Sequence, residues 1–384
     1  MTETQARAAQ HRRFMGRLAL IATLLTVVVV MLGAWTRLVH AGLGCPDWPT
    51  CYGFLSVPQS TEHIAIAEAR FPEAPVDTTK GWPEMIHRYA AASLGMLVFA
   101  IAGYAVWHRR EKLPLKLPLF IAGFVVLQGA FGMWTVTLKL WPQVVSLHLL
   151  GGFTTLSLLC LLALRLRGKV PQPDAGKARA LARFRPWLFG GLALVIMQIG
   201  LGAWTTSNYA AVACTDLPTC QGQWWPDMDF RHGFDVTQAV GPNYLGGQLN
   251  ADGRVAIHVS HRIGAMTVLL YLGSLLVLLW RQARQTSIGP WVLLSGGVLL
   301  TQVMLGMANI LFHIPLGVAV AHNALGAGLL LTVINLLWRL HPLRLPRRAP
   351  AGQTLDQEVP ACPIRLTTAL LRFPSQSHGE ITWS

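Results

Sequence analysis

Runs of about 20 residues with almost no charge recur along the chain, which is the length an α-helix needs to cross a bilayer. Eight are legible, at 17–36, 87–107, 117–138, 143–164, 186–206, 258–280, 289–311 and 316–338. Composition agrees: 53% of the 384 residues are hydrophobic and 12% are charged. A soluble domain carries roughly a quarter of its residues charged. The expected fold class is therefore an all-α integral membrane protein. The first run is too long for a signal peptide, and Trp35-Thr36-Arg37 stands where a small-residue cleavage site would be, so it counts as a helix. No Arg/Ser-rich transit peptide precedes it, and a bacterial plasma (inner) membrane is expected rather than an organelle.

The formal net charge of +14 would suggest nucleic acid if it were spread over one surface. Its placement points elsewhere. Of the 31 lysines and arginines, 23 fall in the first segment, in the loops after the second, fourth and sixth runs, and in the tail. Arg7, Arg12, Arg13 and Arg17 open the series, and Arg109, Arg110, Lys112 and Lys116 follow. This is the positive-inside pattern. It places both termini in the cytoplasm and makes membrane lipid, not nucleic acid, the surroundings of the chain. Past Pro342 there is no clear periodicity, and a mostly disordered cytoplasmic tail is expected.

Self-comparison reveals a duplication. Leu32-Gly33-Ala34-Trp35-Thr36 recurs as Leu201-Gly202-Ala203-Trp204-Thr205, and Cys45 and Cys51 recur as Cys214 and Cys220, all at an offset of 169. His87-Arg88 recurs as His261-Arg262, Gln128 as Gln302, Gly132-Met133 as Gly306-Met307 and His148 as His322, at an offset of 174. The change of five falls in an outer loop, where insertions are tolerated. Each half starts inside and contains four runs, so an axis along the membrane normal should relate them. The eight transmembrane helices are thus expected as two tandem pseudo-symmetric four-helix bundles. The segments are a cytoplasmic N-terminus (1–16), an N-terminal bundle (17–164), a cytoplasmic linker (165–185), a C-terminal bundle (186–338) and the tail (339–384). The glycines in the first and third helix of each half read as positions of close backbone approach.

Thirteen histidines are present. His11, His108, His341 and His378 fall in inner segments, His63 and His232 in outer loops, and His40 and His313 at outer helix ends; these read as solvated or interfacial. His87, His148, His261 and His322 differ. The first of each pair should open the second or sixth helix, and the other should lie one to two turns into the fourth or eighth. An ionisable group at that depth marks a functional site by default, and four at repeat-matched positions argue against a structural role. Zinc asks for four ligands, usually with thiolate or carboxylate among them. Iron in a porphyrin asks for one or two axial imidazoles and a slot between helices, so haem fits better. Arg88 and Arg262 are candidate propionate partners, with interfacial anchoring equally open.

The repeat also exposes a difference. Glu84 stands one turn before His87, whereas the matching residue before His261 is His258. Residues at i and i+3 share a helix face, so Glu84 should point toward whatever His87 binds, as an acid/base group. A carboxylate favoured by the helix dipole is the alternative. Cys45/Cys51 and Cys214/Cys220 read as loop disulfides on the oxidising side, with a redox role for the first pair left open. Cys160 lies in an apolar helix and reads as inert, while Cys362 has no evident partner.

At these residues the chain resembles the haem A synthase family over nearly its whole length. The carrying features are LGAWTRLVHAGLGCPDWPTCYG (32–53), Glu-Met-Ile-His-Arg at 84–88, Ser-Leu-His at 146–148, Ser-His-Arg at 260–262 and Ala-His-Asn at 321–323. That family converts the C8 methyl of haem O to a formyl group, giving haem A for terminal cytochrome oxidases. The resemblance implies an oxidoreductase with haem O as substrate and haem b as cofactor. It implies that His261 and His322 ligate haem b, that His87 and His148 flank the substrate haem, and that Glu84 is the catalytic carboxylate. It likewise matches both cysteine pairs to the family's outer loops. A haem O synthase and an electron-transfer partner are the implied neighbours, and a homo-oligomer is left open. A non-catalytic haem carrier and a di-haem electron-transfer cytochrome are the alternatives, since both also use membrane histidines.

Overall fold

Among the described residues of the computed structural model, eight helices are long and apolar enough to span a bilayer, and no more than a third of the residues in each apolar window are buried. The rest form an apolar outer surface, with Met96, Trp107, Phe120, Leu270, Leu300 and Met304 well exposed, which only a lipid environment accommodates. The chain is a multi-pass membrane protein. The structure describes residues 3–167 and 173–341. Cys362, His378 and the tail expected to be disordered beyond 341 lie outside the described residues.

Helix α1 (Glu3–Leu38) is followed by a short α2 (Thr61–Arg70). Then come α3 (Thr78–Trp107), α4 (Lys116–Thr137) and α5 (Pro142–Arg167). A short α6 (Ala175–Ala182), within the expected linker, precedes α7 (Arg185–Ser207). The one-turn α8 (Phe230–Gly233), α9 (Ala251–Ala283), α10 (Gly289–Leu311) and α11 (Leu316–Leu340) complete the described chain. Among the described residues, the only extended pairing is two isolated bridges, Cys51 with Phe54 and Cys220 with Gln223. Inside the apolar spans hydroxyls turn back on their own helix: Thr23, Thr26 and Thr36 donate to the carbonyls four residues earlier at 2.7, 2.6 and 2.9 Å, which satisfies them where no water is available.

Three of the expected helix starts need correction. Helix α1 begins at Glu3 rather than 17, α3 at Thr78 rather than 87, and α9 at Ala251 rather than 258. Asp77 caps α3 by accepting from the amides of Thr79 and Lys80, and Asn250 caps α9 by accepting from that of Gly253. The caps lie in polar sequence outside the apolar run, so hydropathy did not reveal them. His87 and His261 therefore do not open their helices but lie more than two turns inside them.

Packing follows the repeat. Helix α1 lies against α3 and α5, and α4 against the same two; α7 lies against α9 and α11, and α10 against those two. The groups meet along α1, α5, α7 and α11. The left-handed residues recur in step: His40 with Tyr209, Tyr52 with Gln221, and Lys139-Leu140 with His313-Ile314. Each group has an apolar core at the end that carries the start of α1 and the end of α11. Met15, Ala19, Ile101 and Leu162 fill one; Leu272, Leu279, Val333 and Leu336 fill the other. The histidines occupy the opposite end, beneath the cysteine loops.

Candidate functional site

Each of the four singled-out histidines rests its ring over a glycine of a neighbouring helix. A Cβ on Gly33 of α1 would come within 3.0 Å of His87 Cε1, and one on Gly132 of α4 within 3.2 Å of His148 Cε1. The same test gives 3.2 Å for Gly202 of α7 against His261 and 3.1 Å for Gly306 of α10 against His322. These glycines belong to the repeated Leu-Gly-Ala-Trp-Thr and Gly-Met segments, read from sequence as general packing positions. Their local role is narrower: each leaves room for one imidazole.

The rings of His87 and His148 face each other across the first group, with centroids 6.5 Å apart and planes at 88°. A metal–imidazole bond of about 2.0 Å puts a ring centroid about 3.2 Å from its ion, so two axial rings on one ion lie about 6.4 Å apart. The observed spacing matches. His261 on α9 and His322 on α11 hold the repeat-matched places in the second group. Nδ1 of His87 and Nδ1 of His322 are buried without a hydrogen-bond partner. Among the described residues no group of three or more His, Cys, Asp or Glu converges on a metal site. The donor set is thus two imidazoles per group, which suits an iron that already has four equatorial ligands and does not suit zinc.

Above each pair sits a cysteine loop built on one plan. The structure brings Cys45 and Cys51 into bonding contact, and likewise Cys214 and Cys220. Asp47 accepts from the amides of Tyr52 and Gly53 at 2.6 and 2.8 Å, and Asp216 from those of Gln221 and Gly222 at 2.7 and 3.0 Å. The Thr219 hydroxyl, with the Gly222 and Gln221 amides, holds the Asp216 carboxyl down at about 2. The arginine after each first histidine grips the loop. Arg88 donates to the carbonyls of Asp47 and Thr50 at 2.9 and 2.6 Å, and Arg262 to those of Thr219 and Asp216 at 2.8 and 3.0 Å. The expected propionate partners are thus engaged with protein carbonyls, although Arg262 Nε is buried without a partner.

Glu84 is buried. One carboxylate oxygen accepts the Cys45 amide at 3.0 Å and the other pairs with Arg88. The i, i+3 spacing predicts a side chain facing whatever His87 binds; in the structure its carboxylate joins α3 to the Cys45 end of the loop. His258, at the matching place, instead puts Nδ1 3.0 Å from the Ala210 carbonyl.

Sequence reasoning noted Gln128 and Gln302 only as markers of the repeat and missed Gln198. Gln128 Nε2 lies 3.0 Å from His148 Nδ1 and donates to the His148 carbonyl at 2.7 Å. Gln198 Nε2 does the same for His261, at 3.0 and 2.9 Å. Gln302 lies 3.4 Å from His322 Nε2. A polar residue facing a histidine from the adjacent helix was the available signal.

The chain is similar to known proteins over most of its length. The sequence model of the family COX15-CtaA, described as cytochrome oxidase assembly protein, matches residues 16–334. A heme A synthase of Shewanella oneidensis is 43% identical over 321 residues, covering 83% of this chain and 95% of that protein. Heme A synthases of Rhizorhabdus wittichii and a Chelativorans species are 26% and 28% identical, over 85% and 83% of this chain and 93% and 89% of theirs.

Proposed function

The chain belongs to the COX15-CtaA family of cytochrome oxidase assembly proteins, and we propose that it is a haem A synthase that oxidises the C8 methyl of haem O to a formyl group. The observation that carries this reading is the pairing of two matched imidazole sites with one unmatched buried carboxylate, Glu84. A symmetric electron wire or carrier has no need of that difference.

In this reading haem O lies between His87 and His148, and His261 with His322 holds haem b. Methyl-to-formyl conversion is a four-electron oxidation, with the net balance of one methyl and one water giving one formyl, four protons and four electrons. It passes through the alcohol and then the geminal diol, which loses water, and the electrons leave to an external one-electron acceptor. Haem b, when bound between two imidazoles, supplies a redox centre without an open coordination position, suited to passing on single electrons. The protein's own part is to hold, orient and move protons. The four glycine seats fix where each imidazole stands. Glu84, one turn outward of His87, receives a proton at its carboxylate, and Arg88 balances the charge. The cysteine pairs are disulfides on the outer face of a bacterial plasma membrane, both termini are cytoplasmic, and a haem O synthase supplies the substrate.

Co-expression with a haem O source, followed by haem extraction and mass-resolved chromatography, tests this directly. A formyl haem is expected above a control lacking the protein. Its absence, with the protein present and haem bound, would leave the carrier reading in its place.

A further inference from the structure

Arg37 is a cation without an anion. Its guanidinium, on the last turn of α1, lies 3.8 Å above the Tyr209 ring. Nη2 donates to the carbonyls of Thr206 and Ser207 at the end of α7. Nε and the hydroxyl of Tyr209 are both buried with no hydrogen-bond partner. The ion pairs among the described residues are Arg7–Glu3, Lys80–Asp77 and Arg88–Glu84, and none includes Arg37. A helix end offsets only about half a unit of charge. A buried charge needs a fuller partner than that.

The unused atoms indicate which partner. Both are donors, and they belong to one cation–ring pair, so together they suit the oxygens of a carboxylate. Their place in the fold is equally specific. Arg37 follows Gly33 by four residues and Thr206 follows Gly202 by four, and residues at that spacing share a helix face. Gly33 seats His87 and Gly202 seats His261, so the cation stands one turn above both imidazole seats. The other arginines at this level are already engaged. Arg88 pairs with Glu84, and Arg262 donates through both Nη atoms to carbonyls of its cysteine loop.

We propose that Arg37 and Tyr209 form the seat for a propionate carboxylate of a bound haem, at the seam where the two halves meet. The inference rests on the reading that the histidine pairs hold haem, which is the carboxylate-bearing molecule that this reading brings between the helices. The position matching Arg37 is Thr206, so the seam offers one such seat to two haem sites.

The test uses the full chain in detergent, loaded with iron protoporphyrin IX or with its dimethyl ester, whose carboxylates are blocked. Each is mixed with excess apoglobin as a scavenger, and release is followed by absorbance. The free acid should leave more slowly than the ester. Arg37→Met should speed loss of the free acid about tenfold or more and leave the ester rate unchanged. Tyr209→Phe, which removes one hydroxyl and no charge, should act in the same sense more weakly; it carries the test if Arg37→Met does not fold. Equal acceleration of both porphyrins would make Arg37 a packing residue, and that result or an unchanged free-acid rate overturns the inference. H87A/H148A and H261A/H322A backgrounds assign the seat, since the effect of Arg37 should survive in one and vanish in the other. Survival in both or in neither overturns the single seat. A parent chain that binds neither porphyrin overturns the haem reading itself, and the seat with it.

Discussion

Glu84 and His258 hold the same position in the two halves and act on the chain above them in opposite senses. Glu84 accepts from an amide of the first cysteine loop, whereas the His258 ring meets the Ala210 carbonyl. A carboxylate serves the first geometry with charge to spare, and Arg88 compensates that charge. On the proposed reading, Glu84→Gln keeps an acceptor for the Cys45 amide but removes the group that takes up the proton. Extracted haem from this variant should contain haem O without its formyl product, while the low-spin haem b absorbance stays as in the parent. Loss of haem b absorbance instead would make Glu84 a structural residue. The i, i+3 relation to His87 was legible in sequence because it is local. The Cys45 contact was not, since it joins residues 39 apart through a loop whose path hydropathy does not describe.

At the scale of a helix, the apolar runs located all eight spans seen among the described residues. The polar first turns of α3 and α9 were missed because capping residues there stand outside the hydrophobic run. The glycines gave their presence but not their purpose, since a seat for an imidazole and a seat for a neighbouring backbone look alike in one sequence. Helix α7 separates the two within three residues. A Cβ on Gly202 comes within 3.2 Å of His261, while one on Gly200 meets nothing within 4 Å. Gly202→Ala should displace the His261 ring by a few tenths of an ångström and weaken haem b retention, read as reduced haem per protein after purification. Gly200→Ala should leave haem content alone and raise thermal stability by about 0.5–1 kcal/mol through helix propensity. Equal effects of the two on haem content would show that the glycines act through α7 as a whole.

For the molecule as a whole, the duplication matters because of how the halves meet. His40 and Tyr209 are repeat mates, and their rings stack on one another with centroids 5.5 Å apart and planes within 3°. Contact between equivalent residues is what a twofold axis produces, so the axis inferred from the repeat passes between them. Arg37 sits beside it with no repeat mate of its kind, since the matching residue is Thr206. Its guanidinium donates to the Thr206 and Ser207 carbonyls at 2.6 and 3.3 Å and lies 3.8 Å above the Tyr209 ring. One charged side chain from the first half thereby closes the buried C-terminal end of α7 in the second, where the helix dipole favours a cation. The Ser146–Ser207 hydroxyl contact at 2.9 Å joins the same seam two residues from His148. Arg37→Met keeps the length of the side chain while removing its donors, and hydrogen bonds from a charged group are worth about 1.5–3 kcal/mol each. The melting temperature of the purified protein should fall by several degrees, with helix content unchanged at low temperature. An unchanged melt would mean that the other contacts among α1, α5, α7 and α11, Ser146–Ser207 included, hold the halves together, and that Arg37 at the axis is incidental to their union.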